Sequence, residues 1–148
     1  MSAALITAVY DWLAADTGVG GFAETTVSNA VGTRLFHVTG PEDVSLAAGA
    51  VCVFTIASAA GIDRGFDGSQ TETWRMAFSI WIATELATSS GPAAALGVDA
   101  KLRTRLDGQR LTATGYDRAL VRVVSAGACV IDEDAYRVDS EYTITATR

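Results

Sequence analysis

Histidine is almost absent from this 148-residue chain: His37 is the only one. A serine or cysteine nucleophile needing an imidazole base, or a metal site built from several imidazoles, has a single ring to draw on. His37 follows Phe36 in a short apolar run, where a structural or surface role is expected. Cysteine is equally scarce. Cys52 and Cys129 each sit in an apolar, β-rich run, Val51-Cys52-Val53 and Ala128-Cys129-Val130. Without a Cys-x-x-Cys spacing they form neither a structural zinc site nor a disulfide scaffold. Two buried free thiols in a reducing compartment are the expectation.

Charge is sparse too. Charged residues make up 19 % of the chain, against about a quarter in ordinary domains, while hydrophobic residues make up 49 %. Such a balance points either to extra surface buried against partners or to an alanine-rich source composition. The net charge of −6 disfavours phosphate-backbone binding, which needs clustered Lys and Arg, and keeps a small protein soluble until a specific partner appears. No apolar run reaches the ~18 residues of a membrane span. Residues 2–15 lack a basic leader, and Asp11 and Asp16 interrupt the apolar pattern, so no signal peptide is read and a cytosolic protein is expected. The length fits one domain over 1–148 and suffices to bury about two thirds of the unfolded surface without staples.

What is present is periodic. Ser2 to Asp16 predicts an amphipathic helix, capped by Ser2, with Leu5, Ile6, Val9 and Leu13 on one face, Trp12 beside them, and Gly18 as the stop. Residues 17–32, rich in Gly, Thr, Ser and Asn, read as a long loop. Thr33 to Val38 reads as a short strand before a Gly40-Pro41 turn. The apolar run Ala50 to Ala57 predicts a central strand, and residues 58–70 a second loop. Thr71 to Thr84 is the clearest strand. Trp74, Met76, Phe78, Ile80 and Ile82 form its core face, and Thr73, Arg75, Ala77, Ser79, Trp81 and Ala83 the other. Trp81 there either covers Ala77 and Ala83 or lies beneath a neighbouring subunit.

Ser90 to Asp107 predicts a second helix. Pro92 suits its first turn, and Leu102 and Leu106 face the core with Leu96 or Val98. Asp99 and Arg103 are spaced to pair at i,i+4. Lys101, Arg103 and Arg105 match the helix dipole near the end, and Gly108 stops it. Arg118 to Ile131 and Ala135 to Thr147 form a last hairpin around Asp132-Glu133-Asp134, with Tyr136, Val138, Tyr142 and Ile144 on one face. The order α-β-β-β-α-β-β predicts an α+β fold: one mainly antiparallel sheet of about four to five strands, with two helices packed on one face.

Chemical signatures are weak. Gly18-Val19-Gly20-Gly21 superficially resembles a phosphate loop, but it follows a helix and lacks the Gly-Lys-Ser/Thr ending. Asp63-Arg64-Gly65-Phe66-Asp67-Gly68 echoes a calcium loop, yet Gly65 holds its third position and Trp74 its twelfth. The acidic run 132–134 suits a solvated hairpin tip. Nothing in the spacing brings two carboxylates into one cleft for acid/base work. No catalytic residue, cofactor or metal ligand is therefore assigned, and a non-enzyme is expected.

Several stretches, in order, resemble the tail terminator (tail completion) family of long-tailed bacteriophages. Gly32-Thr33-Arg34-Leu35-Phe36 is similar to that family's Gly-x-Arg-Ile-Tyr strand, and Val51 to Ile56 to its central strand. Thr71 to Ile82 resembles its long strand, Leu106-Asp107-Gly108-Gln109-Arg110-Leu111 its Leu-x-Gly-x-Arg-Leu junction, and Tyr136 to Ala146 its closing strand. The resemblance implies a structural virion protein without cofactor. It would form a ring, usually a hexamer, that caps the tail tube, ends tail polymerisation and joins the tail to the head. Its implied partners are further copies of itself, the tail tube protein and a head or neck connector protein. DNA would only pass through the lumen, no membrane would be involved, and the protein would be assembled in the host cytoplasm into the virion tail or neck. The alternative is another connector, a head-completion or stopper protein. Loops 17–31 and 60–72 are the expected contact segments, with Asp63, Arg64, Asp67 and Arg75 as charge partners and Trp81 as an apolar anchor.

Overall fold

The alternation through Thr71 to Ala83 sets the architecture. In the computed structural model, which describes residues 3–25, 31–37, 46, 49–84 and 92–148, this stretch is the central strand of one sheet. The elements are α1 (Ala3–Ala14), β1 (Leu35–His37), β2 (Val51–Arg64), β3 (Gln70–Ala83), α2 (Ala93–Leu106), β4 (Arg110–Leu111), β5 (Arg118–Ser125), β6 (Cys129–Asp132) and β7 (Ala135–Thr147). The strands follow the order β1-β2-β3-β7-β5-β4, with β6 also paired to β7. β1 runs parallel to β2; the other pairings are antiparallel.

The expected sheet of four to five strands is therefore corrected to a seven-stranded mixed sheet, curled into a half-barrel and carrying two helices. The extra strands have physical causes. The stretch expected as one strand from Arg118 to Ile131 breaks at 126–128 into β5 and β6, which pair with successive lengths of β7. Gly127 sits at the break; a Cβ built there would overlap the main chain of Asp139 on β7. β4 has two residues, too few to show a period. The loop expected over 58–70 shrinks to 65–69, because β2 continues to Arg64 by way of two bulges, at Ile56/Ala59 and Ala59/Gly61. Small residues there pair through their backbones without apolar alternation.

The even-numbered residues of β3 and β7 point to the inner face. Trp74, Met76, Phe78, Ile80 and Ile82 lie opposite Ile144, Tyr142, Ser140, Val138 and Tyr136. A row of rings crosses this face: His37 to Phe54 at 5.1 Å, Phe54 stacked on Phe78 at 5.4 Å, and Phe78 edge-on to Tyr142 at 5.3 Å. Each such aromatic pair adds about 1 kcal/mol beyond its burial. The helices close the core from this side. α1 buries Leu5, Val9 and Leu13; α2 buries Ala95, Val98, Leu102 and Leu106, so Val98 and not Leu96 takes the core position. Ser2, the Gly40-Pro41 turn and residues 90–91 lie outside the described residues.

The two helices are tied together by an aromatic–cation clasp. The Arg105 guanidinium lies 3.9 Å from the Trp12 ring centroid and donates twice to the Trp12 carbonyl, while the Trp12 indole N–H donates to the Arg105 carbonyl at 2.8 Å. Asp99 pairs with Arg103 at 3.1 Å as its spacing predicts, but it faces inward and is buried. Its charge, after burial itself, helps to push the Cys52 thiol far above its usual range and Tyr142 up to about 12.

A second buried carboxylate, Glu72, closes the open end of the inner face. Its Oε1 accepts from Gln70 Nε2 at 2.8 Å and pairs with Arg148; its Oε2 accepts from Trp74 Nε1 at 3.1 Å and from the Tyr116 hydroxyl at 3.0 Å. Four donors meet one carboxylate, which offsets the cost of taking its charge from water.

Three outcomes are expected. Glu72→Ala strands the Trp74 and Tyr116 donors and should cost about 2 kcal/mol in denaturant unfolding, the half-exposed Arg148 being free to rehydrate. Gly127→Ala forces two strands apart and should cost about 2 kcal/mol, whereas Gly18→Ala, where an added Cβ meets nothing within 4 Å, should leave the melting temperature nearly unchanged. Tyr142 holds its proton in the folded state between its ordinary value of 10.0 and about 12, where the unfolded chain has lost it. Stability must then fall as pH rises through that window, and Tyr142→Phe should flatten the loss in urea titrations.

Candidate functional site

With both helices and the aromatic row on one face, the other face of the sheet is left to solvent. Its residues follow from the same alternation. β3 contributes Thr71, Thr73, Arg75, Ala77, Ser79 and Trp81; in register on β7 lie Thr147, Thr145, Thr143, Glu141, Asp139 and Arg137. The centre of this face is small and hydroxylated, and charges stand to one side of it. Ser79 donates to Asp139 at 2.6 Å, and Arg137 bridges Asp132 and Asp139 at 2.7 and 3.1 Å.

A groove of about 360 Å³ opens here. Thr55 and Ala57 of β2, Ala77 of β3, Thr143 of β7 and Val124 of β5 line it, with Arg75 and Glu141 at its rim. Small side chains at 57 and 77 leave the space, and the curl of the sheet deepens it. Among the described residues neither Arg75 nor Glu141 is in an ion pair.

The β2–β3 ribbon runs past the groove to a tip at 65–69. The tip is closed by its own hydrogen bonds: the Gly65 N–H to the Ser69 carbonyl at 2.8 Å, the Gly68 N–H to the Gly65 carbonyl at 3.1 Å, and the Ser69 N–H to Asp67 Oδ1 at 2.9 Å. Gly68, at φ 85°, adopts the left-handed conformation the turn requires. The Ser69 hydroxyl and amide hold the Asp67 carboxyl below its usual range, so this carboxylate organises the turn. At the apex Phe66 is fully exposed, and Ile62, four residues back on β2, is exposed as well. Outside Phe54, the free edge of β2 has no partner strand among the described residues.

A second cleft, of about 450 Å³, lies between the end of α1 and α2, lined by Asp16, Val19, Gly20, Gly21, Lys101 and Arg105. The glycine run resembling a phosphate loop is here. Its amides already serve the chain's own acids: the Gly20 N–H donates to Glu24 at 2.9 Å and the Phe22 N–H to Asp16 at 2.8 Å. Lys101 stands 4.0 Å from Glu24, and Arg105 is held by Trp12. The cleft's charges are committed to holding residues 16–24 on α2; residues 26–30 of the expected contact loop fall outside the described ones.

The five residues expected to make contacts divide. Asp63 and Arg64 end β2, and Asp67 lies in the tip; all three are exposed. Arg75 lies at the groove, well back along the ribbon. Trp81 is farther still, half-buried between Val51 and Arg137 in register, with Val51 and Ala83 buried around it. The expected contact loop 60–72 is mostly strand. Sequence reasoning passed over Phe66, although a phenylalanine between Gly65 and Asp67 in a polar turn was the available signal. It also passed over Glu141 and Val124, which join the groove only through strand register.

No protein-family model and no curated protein matches this chain. Solved structures do. A chain from the virion of a native gene transfer agent (GTA) particle has a similar fold, with a TM-score of 0.68 and 20 % sequence identity over 98 % of this chain and 96 % of that one. A second solved chain has a TM-score of 0.58 and 15 % identity, covering 97 % of this chain and 91 % of that chain. The chain thus has a fold similar, over nearly its full length, to that of a chain of a gene transfer agent virion.

Proposed function

We propose that this chain is a structural virion protein. In our reading it is the subunit of a ring, a hexamer in the family it resembles, that caps a tail tube, ends tube polymerisation and joins the tail to the head or neck. The observation that carries the reading is the fold likeness to a virion chain over nearly all of both chains. The ordered motifs of the resemblance support the narrower assignment: they fall on β1 and the residues just before it, on β2, on β3, on the end of α2 with β4, and on β7.

The surface fits this reading. A ring subunit needs two different patches that meet when copies are placed side by side. The exposed apolar tip and the groove are two such patches on one chain. The described clefts hold no convergent set of reactive groups; their charges sit in internal bridges or stand singly at a rim. Contact partners in this reading are neighbouring copies, the tube protein below and a connector above, with DNA passing through the ring. The protein would be assembled in the host cytoplasm and carried in the virion.

Omitting the protein from an otherwise complete assembly should leave overlong tubes of irregular length beside unjoined heads in electron micrographs, and adding it back should restore joined particles. Unjoined heads beside tails of uniform length would move the assignment to a head-completion or stopper protein. Normal particles made without it would sink the structural reading.

A further inference from the structure

We propose that Phe66, at the tip of the β2–β3 ribbon, inserts into the outer-face groove of a second copy of this chain, so that copies associate head to tail. The proposal rests on the ring reading above and names the contact between its subunits.

The knob is real and fixed. Phe66 is fully exposed on a loop held by three backbone-donated hydrogen bonds. A large apolar side chain held out in water by an ordered turn gains free energy from any apolar site it can reach. The hole lies on the same chain. At about 360 Å³ the groove offers Ala57, Ala77 and Val124 to an aromatic ring. This is the low end of the size range for pockets that bury small ligands, which suits one side chain and its flanks.

Charge sets the occupant. The tip brings Arg64 on one side of Phe66 and Asp67 on the other. The groove rim carries one cation and one anion, Arg75 and Glu141, neither in an ion pair among the described residues. Asp67 can face Arg75 while Arg64 faces Glu141, so tip and groove complement each other.

Geometry excludes the same molecule as host. Arg75 lies five positions along β3 from Gln70, where the turn carrying Phe66 ends, so roughly 17 Å of ribbon at the usual strand rise separates the groove from the tip. The ribbon cannot fold back on itself, so the tip must enter another copy. A knob and a hole at different places on one chain make a heterologous contact, the kind that yields a ring when its rotation closes.

The experiment has two arms on the full-length chain. In the first, Phe66→p-benzoylphenylalanine is photolysed in the self-assembled protein, with and without tail tubes, and the products are mapped by mass spectrometry. The expected product is a cross-linked ladder joining position 66 to peptides containing Ala57, Ala77 or Val124 of another copy. Cross-links confined to another surface, or to a different protein, overturn the proposal. In the second arm, Phe66→Ser removes the knob and Ala77→Trp fills the groove. Each alone should weaken self-association by about tenfold or more, with the melting temperature of Phe66→Ser unchanged. Mixed together they should form a dimer, because the Ala77→Trp chain keeps its knob and the Phe66→Ser chain keeps its groove. Rings that assemble normally from Phe66→Ser would sink this contact and leave the ring reading standing. A wild-type chain that never self-associates, even on tubes, would sink both.

Discussion

The pairing of β3 with β7 is the constraint on which the rest of the molecule depends. It runs without a bulge from Thr71 opposite Thr147 to Ala83 opposite Ala135. Because side chains alternate with a period of two, a slip of one residue would turn Trp74, Phe78 and Ile80 outward and bring Thr73, Arg75, Ala77 and Ser79 inward. The apolar face thus fixes the register, and the register places everything polar. It sets Glu141 diagonally from Arg75 and brings Arg148 back beside Gln70, where it reaches Glu72. β7 then divides its second edge between β5 and β6. The sheet must turn where one gives way to the other, and Gly127 makes that close crossing possible.

Buried charge in this core is placed at its margins. Glu72 caps one end of the inner face with four donors, and Glu24 sits in the α1 loop with the Gly20 amide and Lys101. Asp99 is the exception, a carboxylate on the inward side of α2 with its cation, Arg103, reaching towards solvent. Its field falls on Cys52 and Tyr142, and together with burial keeps both neutral. A thiol so deprived of its thiolate is chemically inert. Cys52 is therefore a packing residue, as the apolar run around it suggests.

Much of the fold was legible because it is written in periods long enough to read. The face assignment of β3, that of the last strand, both helices and the Asp99–Arg103 pair follow from spacing alone. What escaped has little periodicity to show. β4 has two residues, and the end of β2 pairs through alanine, glycine and charged residues whose side chains carry no apolar signal. The parallel placement of β1 beside β2 depends on where the chain goes between them, and local pattern does not encode that. The candidate site was legible in part. Arg64, Asp67 and Arg75 were named from their charge, but as a single group; the strands in fact separate tip from groove. Glu141 and Val124 reach the groove from elsewhere in the chain, and only register brings them there.

A chain whose β2 edge has no partner strand among the described residues and whose tip exposes an aromatic ring should be prone to aggregate, and this chain carries features that oppose it. Two bulges break the exposed length of β2 where a flat edge would template another strand. Asp63 and Arg64 place charges near its end, and the net charge of −6 adds a general repulsion between copies. The proposed apolar contact is confined to one phenylalanine and a small groove, so a single encounter would be weak. In the proposed closed ring each copy would make two such contacts, the last forming within the assembly at a high effective concentration. A template presenting several copies in register, as the end of a tube would, supplies that concentration from the start. In the proposed ring, weak pairwise contact and cooperative closure would be one design, keeping the chain dispersed until a matching surface gathers it.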